Sequence, residues 1–497
     1  MTDVLAYHQL SKHAPERFAP GPGQLDWATQ PAPFRRYDGA RLIELYHRPL
    51  EEGPAYDVAF AGPQAPPAPL NRASVSQLLY DSLAISAWKE AGGSRWALRV
   101  NPSSGNLHPT EAYLLLPPGV VDEGGVLAHY APDVHGLEVR SELPPPFGQR
   151  LANSLPPGGF LLGLSSIAWR EAWKYGERAY RYCQHDLGHA LAALAIAASV
   201  QGWQVRMLHG VAEVRLDGLL GLDDEGFHEA EHGDCLLWIG PAQTMEFALP
   251  EALLTALAQL ERAGVPNRLS RDYRHWPELR RIHGLCRAPA RPRAAWSVDA
   301  AGVRNDNPGL PLRPILHRRR SAQSMDGRSG IQAALLLAWL RRLMPVQSPV
   351  PFAVSGEPSE IDLLLFVHPE AGLQRPRRGS RARQRHLRHG GGGAAVGDRA
   401  DVPGDPQRLV QLPLDADLRD GPDSRRGPCA QGASGCGRPT GSLRPGASGR
   451  SADHHRRAQA AGGVRPARGN LLGDDPAGRL PARGERCGAR RRRPVRA

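Results

Sequence analysis

The spacing of apolar positions changes several times along the first 245 residues. Val75, Leu78, Leu79, Leu83 and Ile85 recur at mostly helical intervals from Ser74, which predicts a helix running toward the glycine pair Gly92-Gly93. A turn-rich loop, Asn101 to Pro109, follows, and Ala112-Tyr113-Leu114-Leu115-Leu116 then has the length and continuity of a buried strand. Gly159 to Leu164 and Cys235 to Gly240 are two more such runs. Between them, Glu171 to Gln201 has helical spacing, with Tyr182, Leu187, Ala190, Leu191, Leu194 and Ala198 as its buried face and Gly202 as its stop. Helices interleaved with strands, without a strict βαβ beat, predict an α+β layered fold for residues 71–245.

On either side the pattern weakens. Residues 1–70 are rich in Pro and turn formers, which favours an extended arm laid over a core. Residues 246–312 are expected to give a helix, Leu249 to Ala263, and an Arg- and Pro-rich connector. From Arg313 a basic cluster, a helix over about Ser329 to Leu343, a Pro-rich loop and an apolar strand, Ile361 to His368, repeat the opening order of the first unit. That order suggests a duplicated second unit over 313–373.

Composition separates the last quarter of the chain from the rest. Of the 497 residues, those from 374 onward include 27 Arg, 22 Gly, 17 Ala and 12 Pro, with no Lys, Phe, Tyr, Trp, Ile or Met. This tail carries a net charge of +16 and the preceding 373 residues −4, so the formal +12 of the whole chain comes from the tail. An Arg-rich arm that binds nucleic acid is one reading, but stacking aromatics and repeated Gly-Arg units are both missing. The other reading is a GC-rich gene translated out of frame beyond residue 373, which would leave the second unit truncated; this is the expectation. Six cysteines without C-x-x-C spacing predict neither a disulfide framework nor a structural zinc site. The N-terminus has no signal-peptide pattern, and the longest apolar stretch, Leu187 to Val200, is too short to span a bilayer. A cytoplasmic protein is expected.

Three segments carry chemistry. Asn101-Pro102-Ser103-Ser104-Gly105-Asn106-Leu107-His108-Pro109 offers hydroxyls, a carboxamide and free backbone amides, without fixed charge, to the polar edge of a heterocycle or a sugar–phosphate chain. A plain Ser/Asn turn is the alternative. His317-Arg318-Arg319-Arg320-Ser321-Ala322-Gln323 offers bidentate cations to a phosphate, or is a solvated charge run. Trp173-Lys174-Tyr175-Gly176-Glu177-Arg178-Ala179-Tyr180-Arg181-Tyr182 pairs an amine with a phenol. The ammonium is expected to lower the phenol's pKa and burial to lower the amine's own, which suits acid–base work. A simple amphipathic helix start is the alternative. His185 and His189, four apart, have metal-ligand spacing but no third ligand in sight, so a packing role is expected and no metal is assigned.

Together these segments resemble a known family. Pro-Ser-Ser-x-Asn-x-His-Pro before a strand is similar to the flavin loop of the nitroreductase superfamily, whose usual form has Gln where His108 stands. The Lys-Tyr-Gly-Glu-Arg-x-Tyr-Arg run, with Gly188-His189 following, resembles the SagB/ThcOx branch of FMN-dependent azoline dehydrogenases. Arg319-Arg320-Ser321-x-Gln323 resembles the superfamily's N-terminal Arg-Arg-Ser segment, with Gln323 in place of its basic residue. Tyr7-His8 and Pro33-Phe34-Arg35-Arg36-Tyr37 resemble tandem members of the group. The resemblance implies a nitroreductase-like α+β fold, a central mostly antiparallel sheet with helices packed around it, in two fused units forming a pseudo-dimer. It implies FMN as cofactor, held by Ser103, Ser104, Asn106, Arg319, Ser321 and Gln323, with Lys174 and Tyr175 as catalytic residues. The implied activity is oxidation of azolines to azoles in a modified peptide, with a peptide-cyclising enzyme as possible partner. NAD(P)H-dependent reduction of nitro or quinone compounds is the rival chemistry, and an inactive scaffold or an Arg-tail nucleic-acid binder the rival of another class.

Overall fold

The computed structural model describes residues 2–60, 66–223, 226–242, 247–292, 309–322, 324, 326, 329–343, 349–357, 361, 363 and 365. The N-terminal segment gives helix α1 (Thr2–Ser11) and strands β1 (Tyr37–Asp38) and β2 (Arg41–Glu44). Helix α2 (Arg72–Ser82) leads into a hairpin, β3 (Ile85–Ala91) and β4 (Ser94–Arg99). Then come β5 (Thr110–Leu116), β6 (Gly125–Ala131), β7 (Gly136–Leu143), α3 (Pro145–Ser154) and β8 (Phe160–Ser166). Helices α4 (Ala168–Tyr175) and α5 (Ala179–Val200) precede β9 (Trp203–Met207), α6 (Leu216–Leu220) and β10 (His232–Pro241). Helix α7 (Glu251–Ala258), strand β11 (Val265–Pro266) and helices α8 (Pro277–Cys286), α9 (Leu312–Arg318) and α10 (Ala333–Arg342) complete the order used below.

Seven strands form one antiparallel sheet in the order β2-β7-β6-β5-β8-β10-β9. Strands β5, β8 and β10 carry continuous apolar runs in sequence because both faces of the sheet are covered. Ala112, Leu114 and Leu116 of β5, with Phe160, Leu162 and Leu164 of β8, pack with α2 and α5 residues in one core. Tyr113, Leu115 and Leu161 point the other way and join α3, α6 and α7 in a second. A third cluster, built on Trp169, Trp173, Trp276 and Leu279, joins α4 to α8. The result is an α+β molecule with a large antiparallel sheet between helical layers.

Several expected elements change character. The helical spacing from Ser74 stops at Ser82; Asn71 caps its start, and its Oδ1 and the Ser74 Oγ each accept a backbone N–H at 3.0 Å. Beyond it, residues 85–99 form a hairpin turned by Gly92 and Gly93, whose φ values of +57° and +77° suit glycine. The helix expected over Glu171 to Gln201 breaks at Gly176, where φ is +55° and ψ −130°. The expected helix over Leu249 to Ala263 is shorter, Glu251–Ala258. Residues 1–70 do more than cover a core: β2 is an edge strand of the sheet, and Tyr7, Arg35 and Tyr37 are buried.

The helix expected over about Ser329 to Leu343 is present as α10. Of the expected strand Ile361 to His368, Ile361, Leu363 and Leu365 are in no strand, and the remaining residues lie outside the described set. Val350 and Val354 pack into the first core, and Met207 N–H donates to the Val354 carbonyl at 2.9 Å. Residues 374–497 lie outside the described set.

Candidate functional site

The turn-rich loop between β4 and β5 meets the junction of α4 and α5. Gly105, Asn106 and His108 all have positive φ (+62°, +62° and +52°), so the chain doubles back tightly here. Asp186 of α5, 1% exposed, anchors the turn. It accepts from Ser103 Oγ at 2.6 Å, from Ser104 N at 3.0 Å and from Ser104 Oγ at 3.0 Å. Asn106 Nδ2 donates to the Ala97 carbonyl at 2.9 Å, so its Oδ1 faces His108 Nε2 at 3.0 Å. Burial, reinforced by Arg99 and Arg170, holds His108 well below the usual imidazole pKa. A neutral ring that donates from Nε2 leaves a lone pair on Nδ1, which is buried without a hydrogen-bond partner, as is Asn101 Oδ1.

Arg170 fixes the far end of the loop. Its Nη1 donates to the His108 carbonyl at 2.7 Å and to Glu111 at 2.5 Å, and its Nε to the Ala32 carbonyl at 3.0 Å. Glu111 also meets His129 at 3.1 Å, and His129 meets Glu138 at 3.0 Å. Burial works against the charge on Glu111, yet Arg170, His129 and Arg99 outweigh it and bring its pKa down to about 2.

Lys174 and Tyr175 close over the tip of this loop. A Cβ placed on Gly105 would lie 2.7 Å from Tyr175 Oη and 3.2 Å from Lys174 Nζ. Both side chains are half-buried, and the Tyr175 ring lies against Tyr182 with centroids 4.1 Å apart. Residues about seventy positions apart in sequence therefore converge on one backbone turn. The expected electrostatics are reversed at the phenol: burial, then the nearby Glu171, push Tyr175 up to about 12. Glu171 is fully buried, and neither of its carboxylate oxygens has a hydrogen-bond partner. Burial, then Asp186, hold it well above the usual carboxylate range.

The N-terminal segment clamps this junction. Tyr7 Oη donates to the Glu177 carbonyl at 2.6 Å, Arg178 donates to the Ser11 carbonyl at 2.6 Å, and Trp173 Nε1 to the Asp26 carbonyl at 3.0 Å. Arg319 and Ser321 lie just past α9, exposed. Helix α9 is held to α2 by Arg313 and His317, which meet Asp81 at 2.7 and 3.2 Å. Among the described residues, no hydrogen bond or ion pair joins Arg319 or Ser321 to the loop, and Gln323 lies outside the described set. His185 and His189 are on the exposed side of α5.

Reading the sequence assigned no role to Asp186, Glu171 or Arg170. A signal was present for Asp186: it falls on the apolar face of α5, between Cys183 and Ala190, where a lone carboxylate needs partners.

No family model matches the chain, and no curated protein matches it. Among solved structures, a protein from Anabaena variabilis ATCC 29413 assigned as a nitroreductase is similar at 22% identity and a TM-score of 0.48, over 73% of this chain and 72% of that one. Another protein assigned as a nitroreductase, from Ralstonia eutropha JMP134, is 18% identical with a TM-score of 0.31, over 46% of this chain and 98% of that one. The Escherichia coli microcin synthetase McbBCD, solved with truncated pro-MccB17 bound, is 21% identical with a TM-score of 0.29, over 36% of this chain and 70% of that one.

Proposed function

We propose that the chain is a flavin-dependent oxidoreductase, with FMN held at the 101–109 loop and Lys174 and Tyr175 handling protons beside it. The observation that carries this reading is the convergence of Lys174 Nζ and Tyr175 Oη on Gly105. An uncharged, tightly turned loop fits the polar edge of a planar heterocycle, and unmatched acceptors on Asn101 and His108 fit a group that brings its own donors. Ser103, Ser104 and Asn106 spend their side chains on Asp186, Ala97 and His108, so in this reading they shape the loop and present its backbone. Arg319, Ser321 and Gln323 are the proposed phosphate contacts, on the strength of the sequence resemblance. Bound at this loop, FMN supplies a two-electron hydride acceptor or donor.

The protein's own share is the proton. Oxidation of an azoline ring to an azole removes one hydride and one proton from adjacent ring carbons, and the proton falls to a side chain. A phenol raised to about 12 keeps its hydrogen through the neutral range, so Tyr175 acts as a hydrogen-bond donor, and in this reading the proton goes to Lys174 reacting as the free amine, which becomes the ammonium. The same raised phenol also suits proton donation during reduction of a nitro or quinone compound, which keeps that second reading in play.

Lys174→Ala separates the two. Azoline oxidation by the FMN-loaded chain should fall by about a hundredfold or more, the scale of a lost acid–base group, while NADH-driven nitroaromatic reduction should largely persist. Equal azoline turnover in Lys174→Ala and the unsubstituted chain would overturn the assignment of Lys174.

A further inference from the structure

A second feature is a cavity of about 50 Å³ bounded by α4, α5, α8 and β10, beside the cluster that joins α4 to α8. Its one carboxylate belongs to Asp234, which occupies a special place in the sheet. The pairing of β10 with β8 slips between Gly233 and Cys235, so Asp234 is the extra residue of a β-bulge. Such bulges re-aim a side chain at the cost of ladder pairing, and here the re-aimed side chain lines the cavity. Ser166 Oγ donates to Asp234 Oδ2 at 2.6 Å, and Gln184 supplies a further hydrogen bond.

Four large aromatic side chains form much of the remaining wall. Trp169, Tyr180, Tyr273 and Trp276 all line the space, with Trp169 and Tyr273 edge to face at 5.0 Å. His232 and His283 stack at 4.3 Å. Burial, then the neighbouring His232, push His283 down to about 3, so its ring brings no positive charge. Arg280, the one guanidinium in the wall, is exposed.

A half-buried carboxylate held by two neutral donors is under-compensated, and aromatic faces attract cations. An anion would meet Asp234 as a like charge, and a neutral apolar guest would leave that carboxylate without a counter-charge. We propose that this cavity binds a small organic cation, an alkylammonium of a few carbons, with its charge at Asp234 and its carbons against Trp169, Tyr180, Tyr273 and Trp276. Burial raises Asp234 to about 7, so an arriving cation also displaces a proton from it near neutrality.

The test is calorimetric titration of the full chain with trimethylammonium chloride and, separately, with tert-butanol, a neutral molecule of similar size. Saturable binding of trimethylammonium is expected, weakened about tenfold or more in Asp234→Asn, with tert-butanol binding more weakly than the cation. Tyr273→Leu keeps the carboxylate and removes one wall, and should weaken the cation about threefold; it carries the test if Asp234→Asn does not fold. Heats no larger than dilution with the unsubstituted chain, unchanged affinity in the variants, or tert-butanol binding as tightly as the cation would each overturn the proposal.

Discussion

Single residues decide whether the loop and the Lys–Tyr pair can meet. Asp186 takes three hydrogen bonds from Ser103 and Ser104 in a nearly closed environment, and charged hydrogen bonds are worth about 1.5–3 kcal/mol each. Asp186→Ala should therefore destabilise the chain by about 3 kcal/mol or more and loosen the 101–109 loop, read as a lower urea midpoint and, on the proposed reading, weaker FMN binding. An unchanged midpoint would mean that the serines are held by something else. Tyr175 gives a prediction about pH. Its folded pKa of about 12 lies above the ordinary tyrosine value, so the phenol stays protonated throughout the neutral range. Tyr175→Phe should lower turnover about tenfold while leaving the shape of the pH profile unchanged between about pH 6 and 9. Loss of a limb of that profile would show Tyr175 titrating during the reaction.

At the scale of elements, Gly176 is where the predicted single helix becomes two. A Cβ there would lie 2.7 Å from Gly21 Cα, 2.9 Å from the Pro20 carbonyl oxygen and 2.9 Å from Trp276, and φ is positive. Gly176→Ala should cost about 2 kcal/mol or more and release the N-terminal segment from the α4–α5 junction, visible as a lower melting temperature and faster proteolysis near residue 20. A neutral outcome would show that this segment is not held there. The break was foreshadowed in sequence only by a glycine inside a helical run, which most helices would tolerate. The hairpin at 85–99 was hidden for a similar reason: Ile85 extends the spacing of Val75, Leu78 and Leu79 by accident, and the paired glycines serve a hairpin turn as readily as a helix stop. Strands β5, β8 and β10 were legible because double-sided burial makes them continuously apolar. Strands β6 and β7 carry His129, Glu138 and Arg140, whose burial depends on partners far away in sequence.

Across the whole molecule, the buried charges tie the sheet to the site. Arg36, Glu138, His129, Glu111 and Arg170 form a chain of contacts from the N-terminal segment through the sheet to the loop. Glu111 falls from an ordinary 4.5 to about 2 on folding, so its stabilisation is fully present above about pH 4.5 and is lost as pH falls toward 2. A gap of that size corresponds to roughly 3 kcal/mol, so Glu111→Gln should lower stability at pH 7 and flatten the acid limb of a stability–pH curve. A curve that keeps its slope below pH 4.5 in the variant would place the acid sensitivity elsewhere. This network was not legible in sequence, because no local spacing announces that Arg170 of α4 will face Glu111 of β5. The loop and the Lys–Tyr pair were legible separately; their meeting at Gly105 required the fold.

The most direct measurement is an absorption spectrum of the purified full chain after FMN is added and unbound flavin is removed by desalting. Retention of the blue and near-ultraviolet flavin bands by the unsubstituted chain, with their loss in Asp186→Ala, is the predicted result. Flavin that leaves entirely with the small molecules, or that Asp186→Ala retains equally well, would contradict a flavin site at this loop.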